Sequence, residues 1–149
     1  NVQSHLNSYI LLSRITANLM KKNNISGSIV LLGSIYGVVG QDTSIYEKTN
    51  MQENMTYSII KGGIINFTRQ MASYYGKYKI RVNCICPGGI LDKTNLKNKR
   101  FIQNYSKRVP LKRLADSKEI ANTILFLSSN ASSYITGTIL MVDGGWTCI

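Results

Sequence analysis

Ser28-Ile29-Val30-Leu31-Leu32 is a short apolar run, closed at once by Gly33-Ser34. A run of that length without polar alternation reads as a strand covered on both faces, as strands of parallel sheets are. Upstream, Leu6, Tyr9, Ile10, Ile15 and Leu19 are helically spaced and predict a helix from Ser4 to Lys22, with Asn23 to Gly27 as its stop. Downstream, a polar loop runs from Ser34 to about Asn54. Helical spacing then returns from Met55 to Tyr75, with Ile60, Ile64, Phe67 and Met71 on one stripe. Ile80 to Ile85 reads as a second strand, broken by Pro87-Gly88-Gly89. The segment from Ile90 to Leu114 is mixed and basic, and reads as a mobile lobe with a short helix around Phe101 to Lys107. Asp116 and Glu119 have capping-box spacing ahead of Ile120, Ile124, Leu125 and Leu127. Thr138 to Val142 is a third strand, ended by Asp143-Gly144-Gly145. Helix and strand alternate three times, which implies an α/β fold with a parallel sheet and helices on its faces.

The 149 residues suit one domain, and 44% hydrophobic content with two prolines excludes a disordered or collagen-like chain. Eighteen basic against seven acidic residues leave a net charge of +11, which attracts anions. The basic residues are scattered as singles and pairs, with no run of five, so a solvated surface is the plainer reading and nucleic-acid binding is not expected. Cys84, Cys86 and Cys148 form no metal-binding spacing and no Cys-x-x-Cys pair. Cys84 and Cys86 alternate and should share one strand face as small buried hydrophobes, which suits a reduced, cytoplasmic setting. The longest nearly apolar window, Ile29 to Gly40, is too short to span a bilayer.

Chemistry concentrates in Ser34, just after the first strand, and in Tyr57-Ser58-Ile59-Ile60-Lys61 opening the second helix. Spacing of four puts Tyr57 and Lys61 about 40° apart on adjacent turns. Free tyrosine titrates near pH ~10, and a neighbouring ammonium favours its phenolate, so the pair suits proton exchange with a carbonyl or alcohol oxygen. A serine hydroxyl can hold that same oxygen. The hydride of such a reaction needs a carrier that no amino acid supplies. In isolation Tyr-x-x-x-Lys is commonplace on helices.

Its surroundings sharpen it. Gly62-Gly63 follow the motif. Then come Arg81-Val82-Asn83-Cys84-Ile85-Cys86-Pro87-Gly88-Gly89-Ile90, Pro110-Leu111 with Arg113, Glu119-Ile120-Ala121, Ser132-Ser133-Tyr134-Ile135-Thr136-Gly137 and Val142-Asp143-Gly144-Gly145. In this order and at these distances the series closely resembles the later part of the short-chain dehydrogenase/reductase family, over essentially the whole chain. The resemblance implies a partial Rossmann-type doubly wound parallel sheet, its last three strands and their helices. Residues 1–149 would be the C-terminal catalytic and substrate-binding part of one domain. The N-terminal nucleotide-binding half, with its Gly-rich turn, has no counterpart in this sequence. The chain begins at Asn1 rather than Met, in keeping with that expectation.

The resemblance implies roles residue by residue. Tyr57 is the acid/base, Lys61 its partner and a holder of the nicotinamide ribose hydroxyls, and Ser34 the hydroxyl that orients substrate. Pro87, Gly88 and Ile90 match the turn whose backbone lies against the nicotinamide of NAD or NADP. Two positions depart from the family pattern. His5 stands where a relay asparagine is usual, and Asp92, with Thr94 nearby, stands where a threonine commonly bonds the carboxamide. No metal is implied. The loop around Ser44-Ile45-Tyr46-Glu47-Lys48-Thr49-Asn50-Met51 resembles a subgroup linked to flagellin modification and surface-sugar biosynthesis. Tyr46 and Glu47 are candidate contacts there, and an anionic or sugar-linked carbonyl/alcohol substrate is implied. The family's usual dimer face, on the first and second helices, implies a homodimer or homotetramer. The spacing Gly33-x-x-x-Gly37-x-x-Gly40 imitates a phosphate loop, but no helix opens after it, so flexibility beside the substrate is the expected role. Two other readings stay open: a non-catalytic scaffold of the same fold, suggested by His5 and Asp92, and a basic nucleic-acid binder.

Overall fold

A computed structural model describes residues 2–92 and 95–149. The helices are α1 (Val2–Lys22), α2 (Met55–Tyr75), α3 (Lys99–Arg108) and α4 (Ser117–Ser128), and the strands are β1 (Gly27–Leu32), β2 (Ile80–Pro87) and β3 (Ile139–Val142). The strands form one parallel sheet in the order β1-β2-β3, with Gly27 opposite Ile80 and Cys84 opposite Ile139.

The central strand divides its side chains by the two-residue period of a pleat. Val82, Cys84 and Cys86 face α2 and join Ile60, Ile64, Ile65 and Met71 in the main core. Ile85 points the other way and packs with Ile120 and Leu127 of α4. The two cysteine sulfurs are 4.0 Å apart and buried, as their alternation predicts, and all three cysteines are free thiols. Buried Asn83 is satisfied: it donates to Ile135 O (2.9 Å) and accepts from Thr138 N (3.1 Å), which fixes where β3 enters the sheet.

Three differences from the sequence reading have physical causes. First, β2 runs through Pro87, which pairs with Val142, so the break begins at Gly88. Amides of Cys84 and Gly88 donate toward β3, whereas Ile85 O accepts from Gly33 on the β1 side. That alternation puts Pro87 on the β1 side, beyond the end of β1, where a missing N–H removes no ladder bond. Second, the apolar stripe of α1 splits. Ser13 and Ala17 are the buried positions, while Ile15 and Leu19 are more than half exposed. Small residues let α1 approach α2 closely, and Leu6 packs against the spot a side chain would fill at Gly63. Third, the basic lobe is anchored from Lys99 onward. Phe101 and Tyr105 of α3 join Ile35, Ile45, Val109, Leu114 and Trp146 in a separate cluster at the C-terminal end of the sheet.

Among the described residues no helix is long and apolar enough to cross a membrane, and no group of three metal-ligating side chains occurs.

Candidate functional site

The site lies where β1 and β2 end and α2 begins. Asn54 caps α2: its side-chain oxygen accepts from Tyr57 N at 3.2 Å and its carbonyl from the same amide at 3.1 Å. Tyr57 therefore sits in the first turn, partly exposed at 39%. One turn on, Lys61 Nζ reaches back to the last residue of β1 and donates to Leu32 O at 2.8 Å. The ammonium is 5.5 Å from the Tyr57 ring centre and 5.5 Å from that of Tyr9 on α1. Burial lowers the Lys61 pKa from its ordinary value, against the opposing pull of the nearby Cys84 and Cys86 thiols. An ammonium carries three donors, so the Leu32 bond leaves two for the hydroxyls of a bound ligand.

Ser34 follows β1 by one glycine and is buried. Its oxygen accepts from Tyr36 N at 3.2 Å, capping the short turn Ile35–Gly37. Gly37 presses that turn against the α2 backbone at Lys61, where an added Cβ would come within 2.6 Å of Lys61 C. Gly33 likewise lies against the Cys84 and Cys86 sulfurs. These two glycines serve close packing rather than the flexibility expected of them.

Ser34 and Tyr57 open into one cleft of about 260 Å³, with Gln41, Tyr46, Gly88 and Tyr105 among its walls. Gln41 Nε2 ties the loop to α2 by donating to Asn54 O (2.9 Å) and Ser58 Oγ (3.1 Å). The floor is the backbone after β2: Gly88 N donates to Val142 O at 3.1 Å, and Gly89 N to the Tyr105 hydroxyl. A Cβ at Gly89 would stand 2.7 Å from the Tyr105 ring, so only glycine fits there. Burial pushes the Tyr105 phenol up to about 12, which keeps it protonated.

A larger hollow of about 470 Å³ shares Gly89 and Tyr105 with this cleft and is lined by Arg113, Glu119 and Asp143. It holds none of Ser34, Tyr57 and Lys61, and its Arg113 and Glu119 bind each other at 2.7 Å. The smaller cleft is therefore the one with chemistry in it.

Of the other sequence candidates, Gly88 and Tyr46 join the cleft, and Pro87, Ile90, Asp92 and His5 lie outside its lining. Pro87 closes β2, with Gly88 next to it in the cleft wall. Ile90 bridges Ala115 and packs toward the Ile85–Ile120–Leu127 cluster. Asp92 is exposed, and its carbonyl accepts from Leu96 N. Thr94 lies outside the described residues. His5 is exposed on α1, and its side chain takes part in none of the hydrogen bonds described above.

A family profile described as enoyl-(acyl carrier protein) reductase matches residues 2–147. The chain belongs to the short-chain dehydrogenase/reductase family. Family relatives include the post-translational flagellin modification protein A of Campylobacter coli, 38% identical over 95% of this chain and 54% of that protein. A ribulose-forming D-arabinitol 2-dehydrogenase of Candida albicans is 36% identical over 91% of this chain and 47% of that protein. A short-chain dehydrogenase of Leptospira borgpetersenii, solved with bound NAD+, superposes with a TM-score of 0.86 at 41% identity, over 98% of this chain and 54% of that one. Other similar structures carry NADH or NADP. The chain thus spans about half the length of the curated relatives it matches.

Around this candidate site, Tyr9, the Leu32 carbonyl, Asn54, Gln41 and Tyr105 are contributors that the sequence reading does not name. Asn54 carried a signal, since an asparagine three residues before Tyr57 is a favoured helix cap. The others are tertiary neighbours without a local mark.

Proposed function

We propose that the intact protein is an NAD(P)-dependent oxidoreductase that interconverts a ketone and a secondary alcohol. This chain supplies the proton-transfer and substrate-binding part. Tyr57 passes a proton to or from the substrate oxygen, Ser34 holds that oxygen, and Lys61 stands beside Tyr57 with two donors free for the ribose hydroxyls of the cofactor. The backbone of Pro87, Gly88 and Ile90 lines the nicotinamide position. Bound NAD or NADP supplies the hydride. The remaining strands of the nucleotide-binding half complete the sheet along β1, whose Leu32 is 40% exposed.

One observation carries this reading. Lys61 Nζ is fixed on Leu32 O, 5.5 Å from the ring of Tyr57, and Tyr57 lines one cleft together with Ser34. A desolvated cation beside a phenol, with a buried hydroxyl in the same cleft, is a proton-handling arrangement. The substrate is a small polar carbonyl compound, sugar-linked or anionic, in line with the flagellin-modification and arabinitol relatives. A homodimer or homotetramer goes with it, since α1 exposes Leu11, Leu12, Ile15 and Leu19, and α2 exposes Met55 and Ile59.

The test is NADH and NADPH oxidation by the intact protein against a panel of ketones. Tyr57→Phe is expected to bind cofactor normally and to lose about 10²- to 10⁴-fold in turnover. Undiminished turnover in that variant overturns the reading.

A further inference from the structure

Tyr46 lies in the loop between β1 and α2, yet it is held from three sides. Its ring stacks on Phe101 of α3, with centres 6.1 Å apart and planes 21° from parallel. The backbone on either side of it is gripped by one amide: Asn104 Nδ2 donates to Ile45 O (3.2 Å) and to Glu47 O (3.0 Å). Arg108 on the same helix reaches Asp42 at 3.5 Å, at the start of the turn Thr43–Tyr46. These contacts hold the Tyr46 ring in the wall of the cleft that Ser34 and Tyr57 line.

Behind Tyr46 stands Tyr36. Its ring packs edge-on against Trp146, with centres 6.3 Å apart. Its hydroxyl is buried and completes no hydrogen bond among the described residues. Such a group is costly to leave unmet. The Tyr36 and Tyr46 hydroxyls are neighbours that act on each other, Tyr36 as donor and Tyr46 as acceptor, though not within strict hydrogen-bond geometry, and Tyr46 also feels Tyr57 across the cleft. Burial drives the Tyr36 pKa far above its ordinary value, so Tyr36 keeps its proton. Tyr46 is the neighbouring hydroxyl able to take that proton's hydrogen bond, and a Tyr46 oxygen that accepts has its own O–H free to point into the cleft.

We propose that Tyr46 is a specificity-determining residue that donates a hydrogen bond to a second oxygen of the substrate, away from the reacting carbonyl. Tyr36, Asn104 and Phe101 are its positioning residues. The ligand class is a hydroxylated ketone, such as an open or ring-closed keto sugar. The inference deepens the functional reading above and rests on it. A site built to bond a hydroxyl rejects the analogue lacking it far more strongly than an apolar site rejects an extra methylene.

The experiment compares two matched pairs in the intact protein: D-ribulose with 2-pentanone, and D-fructose with 2-hexanone. The wild type is expected to prefer the hydroxylated member of each pair. Tyr46→Phe, which keeps the ring stack, should lose at least about tenfold in kcat/KM on the hydroxylated ketones and little on the plain ones. Tyr36→Phe should shift the same ratio less, mainly through KM. Equal losses on both members of a pair, or no loss, overturn the role of Tyr46, as does a wild type that prefers the plain ketones. Failure to oxidise NADH or NADPH with any ketone overturns the oxidoreductase reading itself, and the inference falls with it. Unchanged cofactor affinity and melting temperature in both variants separate recognition from misfolding.

Discussion

The two hydrophobic clusters under α2 and around α3 differ in their share of aromatic rings. The α2 side is mainly aliphatic, with Ile60, Ile64, Ile65 and Met71 against Val82, Cys84 and Cys86, Ala17 admitting α1, and Tyr75 as its buried ring. The α3 side mixes Ile35, Ile45, Val109 and Leu114 with a set of rings: Tyr105 stacks on Trp146 at 4.6 Å, Phe101 meets Tyr46, and Tyr36 meets Trp146. The first cluster fixes Tyr57 and Lys61 to a long helix and a central strand. The second fixes a loop to a short helix, and its rings carry hydroxyls that end in the cleft. Under the proposed function this difference suits a division of labour. The α2 side would hold the proton chemistry at one place for every substrate, and the ring-rich wall would select which substrate is met there.

Damage to the two sides should therefore look different. The largest effect is expected from Ile64→Ala, which empties a fully buried position on α2 and should cost about 2–5 kcal/mol of stability by denaturant unfolding. Lys61→Met should leave unfolding nearly unchanged and slow turnover about a hundredfold on every ketone alike, read as kcat across the panel. On the aromatic side, Gly89→Ala drives a methyl into the Tyr105 ring, for about 1–3 kcal/mol by the same unfolding measurement. Its kinetic signature should be a raised KM that differs between substrates. Uniform loss of kcat there would erase the distinction between the two walls.

The smallest effect belongs to neither wall and serves as a control. Glu119 is held down to about 2, first by the Arg113 fork and then by the Asp116 amide. Its folded value lies below the usual carboxylate range of about 4.3. Its contribution is therefore complete above that range and is lost as pH falls toward about 2. Acid unfolding of Glu119→Gln and wild type should converge at the acid end of that window, with a modest gap at neutral pH because the pair is exposed.

How much of this was legible follows from where each signal sits. The helices and strands were readable within a few residues because helical spacing, the apolar runs and the stop signals are local. The Asp116–Glu119 capping box forms with both of its bonds. Tyr57 and Lys61 were legible as neighbours because a helix converts spacing of four into proximity. The packed side of α1 was not, since Ile15 and Leu19 are apolar and exposed while Ser13 is polar and buried. Only the neighbour decides that, and here the neighbour is α2. The grip of Asn104 on Ile45 and Glu47 joins residues nearly sixty apart in the chain, and no periodicity encodes it. Pro87 misled as a strand breaker because the side of the sheet it faces depends on where β1 ends.

The bond from Lys61 to Leu32 has an evolutionary corollary. Its acceptor is a main-chain carbonyl, which every amino acid possesses. Position 32 is thus free to drift in identity without releasing the ammonium, and selection on this contact acts on the length of β1 and its register with β2. An insertion or deletion ahead of Gly33 would be lethal to the site where a substitution would pass unnoticed. Alignment columns around residue 32 should vary in letter and stay constant in count.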